Sequence, residues 1–328
     1  MASRKLFCLV CVAALLWPAL SAFSQEDKPK SEPSSGETGS QVQRYLGMLK
    51  SEDAETRRKA ARGLGQMREI SAIPALSKLT EDKSRAVQGE VLQALENIAH
   101  PDCVPVFIEV LEDSKGRGKR LMAVRALGKM KASSAVPLLV EILRDEGERG
   151  DTRVMAARSL GEIGDSKAVV PLMEALDHEQ PRLQLVAAGA LGQLGEPVGL
   201  KLALESIKDE EDNVRRFAAE ALGKIGDTST VPSLIEALRD EREGVREKAA
   251  EALGRIGDAS VVPSLAKALG DKKVIVRKSA VTALGEIGGD KAMDALWKAL
   301  EEEENPRMYK FIERVVGSLK NKGRSGNS

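Results

Sequence analysis

Apolar residues recur along this chain in two alternating helical patterns that repeat about every 31 residues. Each copy has a short segment with a proline near its start, such as VPSLIEAL at 231–238. A longer segment, such as NVRRFAAEALGKIG at 213–226, belongs to the same copy. Its apolar positions share one face at helical spacing: Val214, Ala218, Ala221, Leu222 and Ile225. The Gly226-Asp227 pair predicts the end of the helix and the return of the chain.

The glycine of the ALG motif sets the register of the repeat. It recurs at intervals of 31 to 33 residues, and Glu96 holds its place in the one copy that lacks it. The glycines are Gly65, Gly128, Gly161, Gly192, Gly223, Gly254, Gly285 and Gly317. Paired helices with this period stack so that each unit buries its apolar face against its neighbours. We therefore predict an all-α fold, a right-handed α-solenoid of about nine two-helix repeats.

The two ends of the chain lack this pattern. Arg4 and Lys5 precede an apolar run at 6–20, and small residues follow, which is the layout of a cleavable secretory signal. A membrane anchor is the alternative, but the run is short for a span. The predicted organisation is a signal peptide at 1–24, a disordered linker at 25–41, the solenoid at 42–319 and a disordered tail at 320–328. The mature protein is expected in the periplasm or outside the cell, with no membrane insertion after cleavage.

Composition narrows the possible partners. Basic and acidic residues balance at 50 each, and loss of Arg4 and Lys5 with the leader leaves a net charge of about −2. Such a balance gives no general attraction to nucleic acid or to an anionic membrane. Cys103 is the only cysteine left after cleavage, so the mature chain forms no internal disulfide.

The proline-bearing helix followed by VRxxAAxALGxIGD resembles HEAT repeats of the phycobilin (PBS) lyase HEAT-like subtype, over about 42–319. The resemblance implies a structural ladder in which an aspartate of the turn and an arginine of the long helix join neighbouring units. Six residues keep the required spacing: Asp209, Arg215, Asp240, Arg246, Asp271 and Arg277. Gln88, Gln184 and Tyr309 stand in the arginine position elsewhere, so we expect an interrupted ladder.

No motif in the sequence predicts catalysis. It contains no phosphate-binding glycine loop, serine nucleophile elbow or zinc-spaced cysteine and histidine set. Deoxyhypusine hydroxylase, which the fold resembles, holds two irons with several His-Glu pairs, whereas this chain has only His178-Glu179. The HPDC stretch at 100–103 could offer metal ligands, but a Pro-Asp turn with a buried Cys103 accounts for it. We predict no catalytic residue, no cofactor and no metal.

A partner surface is predicted where the repeats differ from one another. The resemblance places the second helix of each unit on the concave side, where exposed positions should be polar. In units 3 to 5 an apolar strip occupies them instead, formed by Leu121, Met122, Val154, Met155, Leu185 and Val186. Arg125, Lys129 and Arg158 edge this strip, and no acidic residue at helical spacing neutralises Arg125 and Lys129. The competing interpretation is that tight curvature buries the strip between units.

These observations predict an exported, non-enzymatic scaffold that binds a protein or peptide segment, apolar and acidic in character, on its concave surface. One alternative is an accessory subunit of an enzyme, related to lyase or oxidoreductase HEAT-like proteins, although phycobilin lyase subunits act on cytoplasmic partners. Another is a catalyst in its own right, which bound iron or zinc would reveal.

Overall fold

The computed structural model describes residues 35–113 and 117–325, and these residues form nine pairs of α-helices without a strand. The first helices of the nine units are α1 (Ser35–Met48), α3 (Ile73–Ser77), α5 (Cys103–Asp113), α7 (Val136–Arg144), α9 (Val169–Glu174), α11 (Leu200–Ser206), α13 (Val231–Ala237), α15 (Val262–Ala268) and α17 (Gly289–Glu302). The second helices are α2 (Ala54–Gln66), α4 (Arg85–Ile98), α6 (Arg117–Lys129), α8 (Gly150–Ile163), α10 (Pro181–Gln193), α12 (Asp212–Ile225), α14 (Glu243–Ile256), α16 (Val274–Ile287) and α18 (Pro306–Ser325). The predicted α-solenoid of nine two-helix units is confirmed.

Local sequence explains how each unit turns, and unit 7 shows the pattern. Gly226 ends α12 with φ +75, in the left-handed region that glycine enters without steric cost. The Asp227 carboxylate then accepts a hydrogen bond from the Ser229 backbone N–H at 2.8 Å and starts a 3₁₀ turn, Thr228–Thr230. Pro232 follows in the first turn of α13, where its missing N–H has no partner to lose.

The second helices pack against one another in chain order, and each first helix packs beside the second helix of its unit. Close approach depends on the ALG glycine. A Cβ atom placed on Gly223 would lie 2.6 Å from the Cα atom of Ala252 in the next unit, so the two backbones are in direct contact there. The predicted apolar face is buried at Val214, Ala218 and Leu222, which join one core along the stack.

The ends of the solenoid differ from the prediction. Helix α1 begins at Ser35, inside the segment expected to be a disordered linker. Helix α18 continues to Ser325, into the expected disordered tail, and the Lys320 ammonium lies 4.3 Å from the centroid of the Trp297 ring. This cation–π contact joins the first residue of the extension to α17. The predicted signal peptide lies outside the described residues. No helix within the described ranges is both long and apolar enough to cross a membrane.

Candidate functional site

The ladder joins neighbouring units through the second helices. Arg215 donates to Asp240 of the next unit from Nε at 2.7 Å and from Nη2 at 3.1 Å. Its Nη1 donates to the backbone oxygen of Asp209, in its own turn, at 2.9 Å. Arg246 repeats this geometry with Asp271 at 2.7 and 3.0 Å, and with the oxygen of Asp240 at 2.8 Å. Each guanidinium therefore joins two turns, which is a structural task that every unit needs.

The ladder changes at its ends and in the middle. Arg57 pairs with Asp82 in the same way as the central rungs, whereas Arg277 reaches Glu303 only through Nε at 3.3 Å. In unit 2, the Gln88 amide donates to the backbone oxygen of Asp82, in its own turn. Unit 2 therefore has no arginine with which to form the usual rung to unit 3.

His178 occupies the ladder position of the turn aspartate in unit 5, a role that the sequence did not reveal. Its Nε2 lies 3.0 Å from Nη1 of Arg153, and its Nδ1 lies 3.0 Å from the backbone nitrogen of Gln180. Both neighbours are N–H donors, but a neutral imidazole has only one acceptor nitrogen and a protonated one has none. This rung is therefore incompletely satisfied.

Replacing His178 with aspartate is expected to raise the free energy of unfolding by about 1 kcal/mol, because a carboxylate accepts from both Arg153 and Gln180. Urea denaturation followed by far-UV circular dichroism measures the change. Asparagine at the same position, which retains one amide oxygen, should give a smaller gain. A loss of stability in the aspartate variant would show that the packing of the imidazole contributes more to stability than the hydrogen bonds that the carboxylate gains.

The apolar strip is mostly interior. Val154, Leu185 and Val186 expose only 3%, 1% and 4% of their surface. This corrects the prediction that the strip is exposed over three units, and the alternative of burial by curvature holds for units 4 and 5. Met122 and Met155 are half-buried against the core.

Leu121 holds in unit 3 the position that Val154 and Leu185 hold in units 4 and 5, but its side chain stays partly accessible. The corresponding residue of unit 2 is Gly89, where an added Cβ would meet nothing within 4 Å. The accessible part of the strip is thus confined to Leu121, Met122 and Met155.

The cations at the edge of the strip do have an acidic partner. Arg125 donates from Nη2 to Glu96 at 2.7 Å, and the Lys129 Nζ donates to the other carboxylate oxygen at 2.6 Å. The Glu96 side chain is only 5% exposed, against 59% for Lys129. Burial raises the pKa of the Glu96 carboxyl, but the two hydrogen bonds more than offset this effect and hold that pKa below its usual value. We call these three residues the seam cluster.

Arg158 contributes to a second group, the central cluster, with Glu220 and Lys224. Arg158 belongs to unit 4 and Glu220 to unit 6, yet Nη1 and Nη2 both donate to this carboxylate, the latter at 3.2 Å. The Lys224 Nζ lies 3.4 Å from the same carboxylate. Gly189 stands at the matching position of unit 5, and its missing side chain makes room for Lys224, whose Cδ atom would lie 3.0 Å from an added Cβ.

The central cluster shows which way the row of units bends. Neighbouring packed helices lie about 8–10 Å apart, so helices two units apart in a straight row would be about twice that distance. Direct contact between Arg158 and Glu220 therefore requires the row to curve towards this face of the second helices, which is the concave one there.

Burial raises the pKa of Glu220, but Arg158 and Lys224 outweigh this effect and lower that pKa to about 2. Burial, reinforced by Arg158, lowers the pKa of Lys224.

The candidate metal ligands of the sequence are not assembled. His100 Nδ1 accepts from the backbone N–H of Asp102 at 3.3 Å, and Cys103 is fully buried, which raises the pKa of its thiol. Within the described ranges no three histidine, cysteine, aspartate or glutamate side chains are placed to hold a metal ion. His178 instead takes part in the ladder, where it contacts Arg153.

A cleft of about 630 Å³ separates α15 from α17 near the C-terminal end. Its wall includes Ala266, which stands where unit 7 has the larger Ile235. Unit 9 also enters α17 directly after Gly288, without the 3₁₀ turn that precedes α13 and α15. These two differences account for the opening.

Taken together, the stacked helix pairs, the ladder and the concave face define an α-solenoid. HEAT repeats match the sequence over residues 42–116, 74–151, 146–216, 200–274 and 231–310. The chain belongs to the HEAT-repeat family, which confirms the resemblance seen in the motif. No curated protein matches the sequence.

Solved structures with the same kind of fold include the complex of CpcE and CpcF of phycocyanin lyase from Nostoc sp. PCC7120. That match has 21% identity and a TM-score of 0.52, and it covers 90% of this chain and 98% of the other. Human deoxyhypusine hydroxylase in complex with glycerol matches with 21% identity and a TM-score of 0.38, over 79% of this chain and 99% of the other. At this level of identity the similarity is one of fold.

Proposed function

We propose that this protein is an exported, non-enzymatic scaffold that holds a segment of a partner protein against the concave face of its second helices. Membership of the HEAT-repeat family supports an interaction role, because solenoids of this kind present extended concave binding surfaces. The basic and apolar leader at 1–24 supports export.

The observation that carries the proposal is the surface of unit 3 on α6. Leu121 and Met122 are half-buried there, and Arg125 and Lys129 stand one and two turns further along the same helix. An apolar contact with adaptable methionine, next to cations, suits an apolar and acidic segment. Met155 and Arg158 continue this surface into unit 4, whereas Val154, Leu185 and Val186 are buried and not available to a partner.

A photo-crosslinking amino acid at Gln93, which holds on α4 of unit 2 the position that Arg125 holds on α6, is expected to capture the partner in cells that produce the full-length protein. Lys201 is the control, because its side chain is 88% exposed but lies on the first helix α11 and not on a second helix. The crosslinked product at Gln93 should disappear when Lys129→Glu is added. Equal capture from both positions, or capture unaffected by Lys129→Glu, would contradict a specific concave site.

The alternative is an accessory subunit of an enzyme. The observation in its favour is the fold shared with CpcE and CpcF, which are described as a complex of a lyase. Copurification with a catalytic chain, or with a chromophore visible in the absorption spectrum, would support this alternative. Stoichiometric iron or zinc in the purified protein would instead support a catalyst in its own right.

A further inference from the structure

The interface between units 2 and 3, here called the seam, is built differently from its neighbours. At most other interfaces the ALG glycine lies so close to the facing helix that an added Cβ would meet its backbone, as at Gly65, where that Cβ would lie 2.6 Å from the Cα atom of Ala94, but the seam has Glu96 at this position. Contact between α4 and α6 is accordingly sparser than between other neighbouring second helices of units 1–8. The arginine of the ladder is also replaced here, by Gln88, whose amide donates to the backbone oxygen of Asp82. Ion pairs therefore contribute a larger share of the stability of this interface than of the others.

The seam cluster sets two cations against one carboxylate. Arg125 and Lys129 share Glu96, which leaves one positive charge in excess. Arg125 donates from Nη2, whereas its Nε is buried and has no hydrogen-bond partner among the described residues. Guanidinium groups bind carboxylates best through two parallel hydrogen bonds. The Arg125 and Lys129 side chains are 36% and 59% exposed, so a carboxylate from outside can reach both cations.

We propose that the seam binds an acidic side chain of the partner segment, whose carboxylate engages Arg125 and Lys129, and that Glu96 is an internal competitor for this position. The proposal rests on the proposed function and names the partner chemistry at that surface. An adjacent apolar side chain of the segment packs against Leu121 and Met122, which are partly accessible.

The surroundings favour a carboxylate over a phosphate. The cations lie next to half-buried Leu121 and Met122, and the described residues of α4 and α6 contain no aromatic side chain on which a nucleic acid base would stack. Glu90 also lies on the neighbouring turn of α4, where it pairs with Arg62 at 2.6 Å. A doubly charged phosphate would meet more repulsion there than a single carboxylate does.

The test uses a fluorescein-labelled octapeptide of alternating glutamate and leucine, with a glutamine-leucine peptide as the uncharged control. Binding to the full mature protein is measured by fluorescence anisotropy at two salt concentrations. Glu96→Gln keeps the side-chain volume but removes the competing charge, and it is expected to tighten binding of the acidic peptide about five- to tenfold. Arg125→Gln with Lys129→Gln should weaken it at least tenfold. Lys201→Gln, on a first helix, should leave it unchanged.

The outcomes distinguish failure of the competition by Glu96 from failure of the binding site itself. Unchanged affinity in Glu96→Gln, with loss in the double variant, overturns the competition but keeps the concave site. Unchanged affinity in all variants, or no binding even by Glu96→Gln, overturns the seam site. Tighter binding of a single-stranded oligonucleotide than of the peptide overturns the assignment to a carboxylate. Thermal unfolding checks each fold, and exposed Lys129→Gln alone, expected to weaken binding about threefold, serves if the double variant does not fold.

Discussion

Replacing Gly223 with alanine is expected to lower the free energy of unfolding by about 2–3 kcal/mol. The new Cβ atom would lie 2.6 Å from both the Cα and the Cβ atoms of Ala252. Because the obstructing atoms belong to the facing backbone and its first side-chain carbon, no side-chain rotation removes the overlap. Helices α12 and α14 must move apart, and the alanines buried between them then lose close contact.

The consequence extends beyond one unit because a solenoid is stabilised mainly by contacts between neighbours. A weakened interface between units 6 and 7 is expected to uncouple the units on either side, so that urea unfolding becomes broader or separates into two steps. Far-UV circular dichroism follows the transition, and hydrogen exchange identifies which units open first.

Gly89→Ala is the matched control. Gly89 also lies inside a second helix, but a Cβ atom there would meet nothing within 4 Å. Alanine is the better helix former, so this substitution is expected to stabilise the protein by about 0.5–1 kcal/mol. Equal effects of the two substitutions would show that helix propensity, not the contact with Ala252, governs these glycines.

The fold could be predicted because every unit repeats the same local solution. The helix lengths, the turn after Gly226 and the pairing of Arg215 with an aspartate follow from residue types that recur at fixed spacing. His178 was missed as a ladder residue because imidazole differs chemically from the usual aspartate, although it occupies the same place in the repeat.

The candidate site could be predicted only in part, because a helical wheel treats each unit alone. Val154 and Leu185 lie on the wheel where solvent is expected, but the curved row brings units 4 to 6 together and buries them. Gly189 was the available signal, since a missing side chain on the concave face lets the second neighbours meet. For the seam, the signal was Glu96 itself, whose charge is compensated in the next unit by Arg125.

Replacing Glu220 with glutamine is expected to cause the largest loss of stability, about 3–5 kcal/mol near pH 7. The substitution leaves Arg158 and Lys224 facing each other in the centre of the concave face without the carboxylate that both contact. The side chain of Lys224 is only 8% exposed, so water replaces the lost partner poorly. Adding Arg158→Gln removes one of the two uncompensated charges and is expected to recover at least half of the loss. A double variant as unstable as Glu220→Gln alone would contradict the role of charge.

The pH dependence provides the second test of the same cluster. The pKa of Glu220 is about 2 in the folded protein, against an ordinary value of 4.5 for a glutamate in the unfolded chain, so the folded state binds this proton less readily. The stability that this ionisation contributes, on the order of 3 kcal/mol, is fully present above about pH 4.5 and is lost as the pH falls towards 2. The ladder carboxylates Asp82, Asp240 and Asp271 also have lowered pKa values, so acid weakens both proteins through them as well. The measured quantity is therefore the difference in unfolding free energy between the wild type and Glu220→Gln. This difference should shrink steadily between pH 4.5 and 2, because protonation makes Glu220 as neutral as glutamine. A difference that stays constant over that range would mean that the packing of the side chain, and not its charge, holds units 4 and 6 together.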